Sequence, residues 1–181
     1  MTSPLHPAVQ RLIDREDIRD AHIRYARGMD RHDLALVASA FHVDGRDRHG
    51  SFEGGPDDVA RWAHRGHTLH YTAHNHYLGN VSFTFEGDDV CFTETYFHIV
   101  LHRISEPTGN DVLGGRYLDR LEKRDGTWAI VDREVVLDWK GEHLPIDPVR
   151  DHEVNKTYPA GQWSDDDLSY TRVADFVRTR V

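Results

Sequence analysis

A carboxylate, Asp30, falls at the margin of an apolar helical face in IRDAHIRYARGMDRHD (18–33), one turn beyond Ala26 and two beyond Ile23. A charged group on a core-facing helix edge costs stability unless it is paired. Two pairings are open to it. Asp30 either caps the turn at Arg31-His32-Asp33 or accepts a hydrogen bond from a histidine ring, fixing its tautomer and supporting a charged imidazolium. Histidine is the natural general base, because its ordinary pKa of about 6.5 lies near working pH. His76 is the candidate, the alternative being a ring satisfied by a backbone carbonyl. His98 lies mid-strand on the same face as Tyr96, as a candidate polar group or as a core or interface packing residue. Arg133 sits in an otherwise apolar strand, AIVDREVVL, and needs an acidic partner or an anionic ligand; a surface ion pair with Asp132 or Glu134 is the alternative.

Fourteen histidines are present, five of them in one run: His64, His67, His70, His74 and His76. Imidazole suits zinc, copper, iron and nickel, and His74 and His76 form an HxH pair as in part of a cupin motif. The glutamate expected a few residues on is missing, because LGNVS follows, so the site is expected to hold no metal. No serine or cysteine triad, phosphate loop or dinucleotide motif is present. The lone cysteine, Cys91, sits in an apparent strand and reads as packing.

The elements that must position these groups change period part-way along the chain. A first helix starts near Pro7 or Ala8, with Ile18, His22, Tyr25 and Met29 on one face. Gly28 inside it would let another backbone approach closely. Asp33 is placed to cap a second helix, Leu34 to Phe41, and Pro56 opens a third, PDDVARWAHR. Alternation follows: Val81, Phe83 and Phe85 share one side, and Val90, Phe92, Glu94, Tyr96, His98 and Val100 share a face of a long strand. Asp125-Gly126 is a strong hairpin signal. Three helices before an antiparallel sheet give an α+β domain over 1–140; the proline- and charge-rich tail, 141–181, is expected to pack on the surface or on a neighbouring subunit.

The 181 residues suit one domain. A formal charge of −9 argues against nucleic acid or an anionic membrane as partner. No stretch approaches the roughly 20 apolar residues that span a bilayer, and MTSPLHPAVQ lacks the pattern of a signal peptide. A soluble, cytoplasmic protein is expected.

The joint order of these pieces, from Val9 to Trp139, resembles the SnoaL-like branch of the NTF2-like superfamily, which includes polyketide cyclases, ketosteroid isomerase, scytalone dehydratase, a bile-acid dehydratase and a hexachlorocyclohexane dehydrochlorinase. Asp30 in the first helix matches the family's catalytic aspartate. His76-Tyr77 in HNHYLGNVSF matches the His-Tyr of the dehydrochlorinase, whose histidine is the base paired with that aspartate. Arg133 falls at its catalytic arginine. Tyr25 resembles the tyrosine of the bile-acid enzyme, with the same Tyr-x4-Asp spacing, and His98 falls near a second polar catalytic position of the dehydratases. The dehydrochlorinase carries a lysine where Tyr25 stands, a departure from haloalkane chemistry.

The resemblance implies a cone-shaped α+β barrel, with a curved, mainly antiparallel sheet wrapped around the first helix. It implies a pocket lined by Tyr25, Met29, Trp62, Phe92, Tyr96, Tyr117 and Trp139, suited to a small hydrophobic cyclic molecule. The expected activity is a cofactor-independent lyase of the dehydratase type. His76 would take the proton, Asp30 would orient it, Tyr25 and His98 would donate protons and Arg133 would steady negative charge. The alternatives are an isomerase or cyclase using the same base, a small-ligand binding module, or a structural subunit like the β subunit of ring-hydroxylating dioxygenases. The family's habit implies a homo-oligomer, a dimer or a trimer.

Overall fold

The computed structural model describes residues 5–105, 109–144, 159 and 161–170. Helix α1 runs Pro7–Arg31, with proline in its first turn and the His6 side chain accepting from the Ala8 N–H at 3.2 Å. It ends at His32, whose left-handed backbone (φ 55°) points its N–H back to the carbonyls of Gly28 and Met29. The Asp33 carboxylate then accepts from the Leu36 N–H at 2.9 Å and caps α2, Leu34–Ala38. Gly28 makes this tight turn between helices possible: a Cβ there would stand 2.7 Å from both the backbone nitrogen and Cγ2 of Val37.

The second helix is shorter than its sequence pattern suggests. Phe41 does not close it but opens strand β1, Phe41–His49, where its ring is buried against the Tyr25 edge, 5.9 Å between centroids. Strand β2, Phe52–Gly54, precedes α3, Pro56–His70, which runs five residues past the expected PDDVARWAHR. The long strands follow: β3 Tyr71–Glu86, β4 Val90–Arg103, β5 Asn110–Arg124 and β6 Thr127–Leu144. They make one open, curved sheet in the order β2-β1-β6-β5-β4-β3, antiparallel except where β1 runs parallel to β6. Asp125 and Gly126, both at positive φ (50° and 80°), form the β5–β6 turn.

The inner face of the sheet wraps the apolar stripe of α1. Ile18, Ala21, Tyr25 and Met29 pack there against Phe97, Ile99, Leu101, Tyr117, Leu121 and Ile130. Two irregularities set which side chains reach this face. In β6 the ladder passes from Leu121–Ile130 to Arg120–Asp132, leaving Val131 as an extra residue and turning Arg133 inward. Near Gly114 a second shift lets Trp139 lie across the strand, so close that a Cβ at Gly114 would meet its ring at 2.3 Å.

The sheet's alternation corrects the expected pocket. On β4 the buried set is Cys91, Thr93, Thr95, Phe97, Ile99 and Leu101; Phe92, Tyr96 and His98 stand on the outer face, as does Trp139 on β6. Both sets are largely apolar, so hydrophobicity alone did not choose between them. The polar needs of His22 did: its ring nitrogens face the Thr93 and Thr95 hydroxyls at 3.4 and 3.3 Å. The expected tail also starts later than residue 141, because β6 pairs as far as Asn110–Leu144. Of the remainder, 145–158, 160 and 171–181 lie outside the described residues, and 161–170 pack against the C-terminal end of α1. Among the described residues, no helix is long and apolar enough to cross a membrane.

Glycine-to-alanine changes inside helices normally stabilise by up to about 1 kcal/mol. Gly28→Ala is expected to do the reverse, destabilising by roughly 1–3 kcal/mol through the clash with α2. Urea unfolding reads the sign directly.

Candidate active site

Asp30, in the last turn of α1, is almost wholly committed to His76. Both carboxylate oxygens accept the His76 backbone N–H at 3.0 Å, and Oδ1 lies 2.6 Å from His76 Nδ1. A carboxylate only accepts, so Nδ1 carries the ring proton and Nε2 keeps its lone pair. That Nε2 has no hydrogen-bond partner among the described residues. The His76 side chain is 5% exposed and that of Asp30 13%. The ring is therefore held in one tautomer and one orientation, in a sheltered place. Of the two pairings open to Asp30, the histidine is the one adopted; the following turn is capped by Asp33 instead.

A second polar group lies deeper, between α1 and the sheet. Arg133 and Asp119 face each other across β5 and β6 as a bidentate pair, 2.7 Å on both arms, with neither side chain exposed. The acidic partner is thus Asp119, and the alternative partners, Asp132 and Glu134, are both taken by Arg48 of β1 at 2.6–2.9 Å. Burial alone would raise the Asp119 carboxyl, but the Arg133 charge and hydrogen bonds outweigh it and hold it down at about 2. His22 of α1 adds a second partner, Nε2 3.1 Å from Asp119.

The Arg133 guanidinium lies 4.1 and 4.2 Å from the ring centroids of Tyr25 and Tyr117, whose rings meet edge to face at 5.6 Å. Among the described residues, both tyrosine hydroxyls, Arg133 Nη1 and both Asp47 carboxylate oxygens are buried with no partner at good hydrogen-bond geometry, although the Arg133 guanidinium lies beside Tyr25 and His49 Nδ1 stands 3.6 Å from Asp47. Burial pushes the phenols of Tyr25 and Tyr117 up, and the Asp47 charge pushes them further, so both stay protonated donors. The Asp30 charge also acts on Tyr117, which links this group electrostatically to the Asp30–His76 pair. Unpaired buried donors of this kind are what an oxygen-bearing ligand would satisfy.

Beside Asp30 and His76 the histidine run folds into a cluster. His74 Nε2 is 2.8 Å from the Met29 carbonyl, and the His67 and His74 rings are 4.2 Å apart. His32 contacts both, meets His64 Nδ1 to Nδ1 at 2.7 Å and is stacked at 4.0 Å by Trp163 of the C-terminal segment. Burial is the largest cause that lowers these rings, His67 to about 2 and His32 and His74 to about 4. The segment is pinned by Asp167, which lies 3.3 Å from Arg31 Nε, and by the Tyr170 hydroxyl donating to Asp33 at 3.1 Å.

The structure thus brings together Asp30, His76, Tyr25, Met29, Tyr117 and Arg133. Trp62 lies apart from them, stacked at 4.8 Å on Phe52. His98, Phe92, Tyr96 and Trp139 are turned away on the outer face; His98 neighbours Tyr77 and Trp139 there. A groove of about 420 Å³ also lies on that face, lined mainly by Ser82, Thr84, Phe92, Glu94, Leu118 and Glu134. Sequence reasoning missed Asp119, His22 and Asp47. Their signal was weak: Asp119 is one of many charges in an alternating strand, and His22 was visible only as a member of an apolar face.

With this geometry in hand, the comparisons are decisive about family. The SnoaL-like domain model matches residues 10–134. The chain belongs to the SnoaL-like family. Solved structures similar to this SnoaL-like chain include a candidate scytalone dehydratase from Novosphingobium aromaticivorans (18% identity, 77% of this chain and 93% of that one, TM-score 0.67). The hexachlorocyclohexane dehydrochlorinase LinA-type3 from Novosphingobium barchaimii is similar over 78% of this chain and 99% of that one, at 18% identity and TM-score 0.69. A protein of unknown function from Mycobacterium tuberculosis is similar over 96% of this chain and 92% of that one, at 18% identity and TM-score 0.64. At these identities the likeness shows a shared NTF2-like cone fold. No curated protein matches the sequence.

Removing one partner of a buried ion pair strands the other, so Arg133→Met should cost about 3–5 kcal/mol in denaturant unfolding. The acid limb has a defined sign. Asp119 titrates lower in the fold than its ordinary value of about 3.9, so its stabilising contribution is complete above that pH and is lost as pH falls toward about 2. Asp119→Asn should flatten the pH dependence of stability across that window.

Proposed function

We propose that this SnoaL-like protein is a lyase of the dehydratase type, acting on a small, cyclic, largely hydrophobic molecule by proton abstraction at His76. The observation that carries this reading is the 2.6 Å contact between His76 Nδ1 and Asp30, in a ring whose Nε2 has no hydrogen-bond partner among the described residues. His76 Nε2 takes a proton from the carbon beside a carbonyl, and Asp30 stabilises the imidazolium that forms. The unpartnered hydroxyls of Tyr25 and Tyr117 and the free Arg133 Nη1 are the available donors for the developing enolate or the departing hydroxyl. Met29 supplies apolar wall. The step needs only protein groups, and His98, on the outer face, has no part in it.

General acid–base groups contribute about 10²- to 10⁴-fold each. Asp30→Asn is therefore expected to lower turnover of a cyclic β-hydroxy ketone by that order with the fold intact by circular dichroism. Wild-type turnover in that variant would remove the pair from the mechanism. An isomerase or cyclase would use the same base, and product mass separates the readings, since dehydration loses one water.

We further propose that the protein is a homo-oligomer associating through the outer face of the sheet. Tyr96 and Trp139 are each half exposed there, with Phe92 and Leu118 beside them, an apolar exposure unusual for a monomer. Sedimentation analysis should give a dimer or trimer, and Trp139→Glu should shift it toward monomer. A wild-type monomer would end the proposal.

A further inference from the structure

The histidine cluster carries a feature that the acid–base pair does not use. His74 donates Nε2–H to the Met29 carbonyl, which fixes its tautomer and leaves Nδ1 as a lone pair. That Nδ1 is buried with no partner. The Nδ1 of His32 is engaged by His64, and its Nε2 is likewise buried without a partner, as is Nδ1 of His67. A ring nitrogen from each of His32, His67 and His74 lies within 4.8 Å of the other two. Burying one imidazole nitrogen without a donor has a desolvation cost; burying three that converge calls for a common acceptor of their lone pairs.

We propose that His32, His67 and His74 form a binding site for a divalent transition metal ion of the zinc or cobalt kind. Three neutral imidazoles are the donor set such ions prefer, whereas magnesium and calcium seek oxygen. Two of the three rings already have their far nitrogens held, by the Met29 carbonyl and by His64, the outer support that orients metal-bound histidines. Bonds of 2.0–2.1 Å in tetrahedral geometry put ligand nitrogens about 3.4 Å apart, a separation that small ring rotations reach from the present one.

The ligands come from three places: the left-handed residue ending α1, the last turn of α3 and the buried face of β3. An ion would tie these elements together beside Asp30, under the stacked ring of Trp163. The proposal stands whether or not the protein is a lyase, because Asp30 and His76 are outside the ligand set.

The experiment uses tag-free, full-length protein stripped with chelator and titrated with Co²⁺ and then Zn²⁺. One ion per chain is expected, with tetrahedral Co²⁺ visible bands bleached by Zn²⁺. His67→Ala should weaken Zn²⁺ binding at least about 100-fold, and His98→Ala, on the outer face, should leave it unchanged. Uptake that survives His67→Ala but disappears in Asp30→Asn would place the ion on Asp30, His74 and His76 and overturn the assignment. So would no uptake at micromolar free ion. X-ray absorption on zinc-loaded wild-type protein needs no variant to fold: three imidazoles in the shell support the site, and an oxygen-rich shell sinks it.

Discussion

The Asp119 carboxylate is the interaction on which the interior depends. An ionised group with no exposure must collect partners, and those of Asp119 come from different parts of the chain: Arg133 from the neighbouring strand and His22 from α1. His22 in turn faces Thr93 and Thr95. One buried charge thus fixes the rotation of α1 within the sheet, the inward face of β4 and the register of β5 on β6. Tyr25 and Tyr117, packed against the Arg133 guanidinium, are then positioned with their hydroxyls unspent. The deep network is a frame, and the donors it leaves over are a by-product of satisfying Asp119.

The Asp30–His76 pair is built by different means. Its geometry comes from the end of a helix and the inner face of an edge strand, fixed by three hydrogen bonds onto one carboxylate. The backbone N–H of His76 supplies two of them, so the strand itself, not only the imidazole, is registered on Asp30. Replacing the histidine side chain would therefore leave most of the strand-to-helix attachment standing, which separates the chemistry of the ring from the architecture beneath it.

Much of this was legible in the residues. The apolar stripe Ile18–His22–Tyr25–Met29, the break at Asp33, the proline opening α3 and the Asp125–Gly126 turn are local signals, decided within a few residues. Asp30 and His76 stood out because charged and titratable groups on core-facing positions demand partners. What did not read was the sidedness of β4. TETYFHIVLH alternates between two apolar sets, and only long-range polar pairing with His22 chooses between them. Phe92, Tyr96 and His98 were misplaced for that reason. Trp163 was beyond reach for another: nothing local in a polar, proline-rich segment says which distant ring it will cover.

Val131 carries a consequence for how the family's sequences can vary. A ladder running regularly from the turn would set Asp119 opposite Asp132 and point two carboxylates at one buried spot; one supernumerary residue exchanges that repulsion for a guanidinium. The strand is thus frame-sensitive, like a reading frame in a message. Deleting Val131 would remove the bulge and still leave Arg133 opposite Asp119, whereas straightening the ladder with Val131 in place would turn the cation to solvent and an acid to the core. With Val131 present, the bulge itself, more than the type of residue inside it, decides which charge reaches the core.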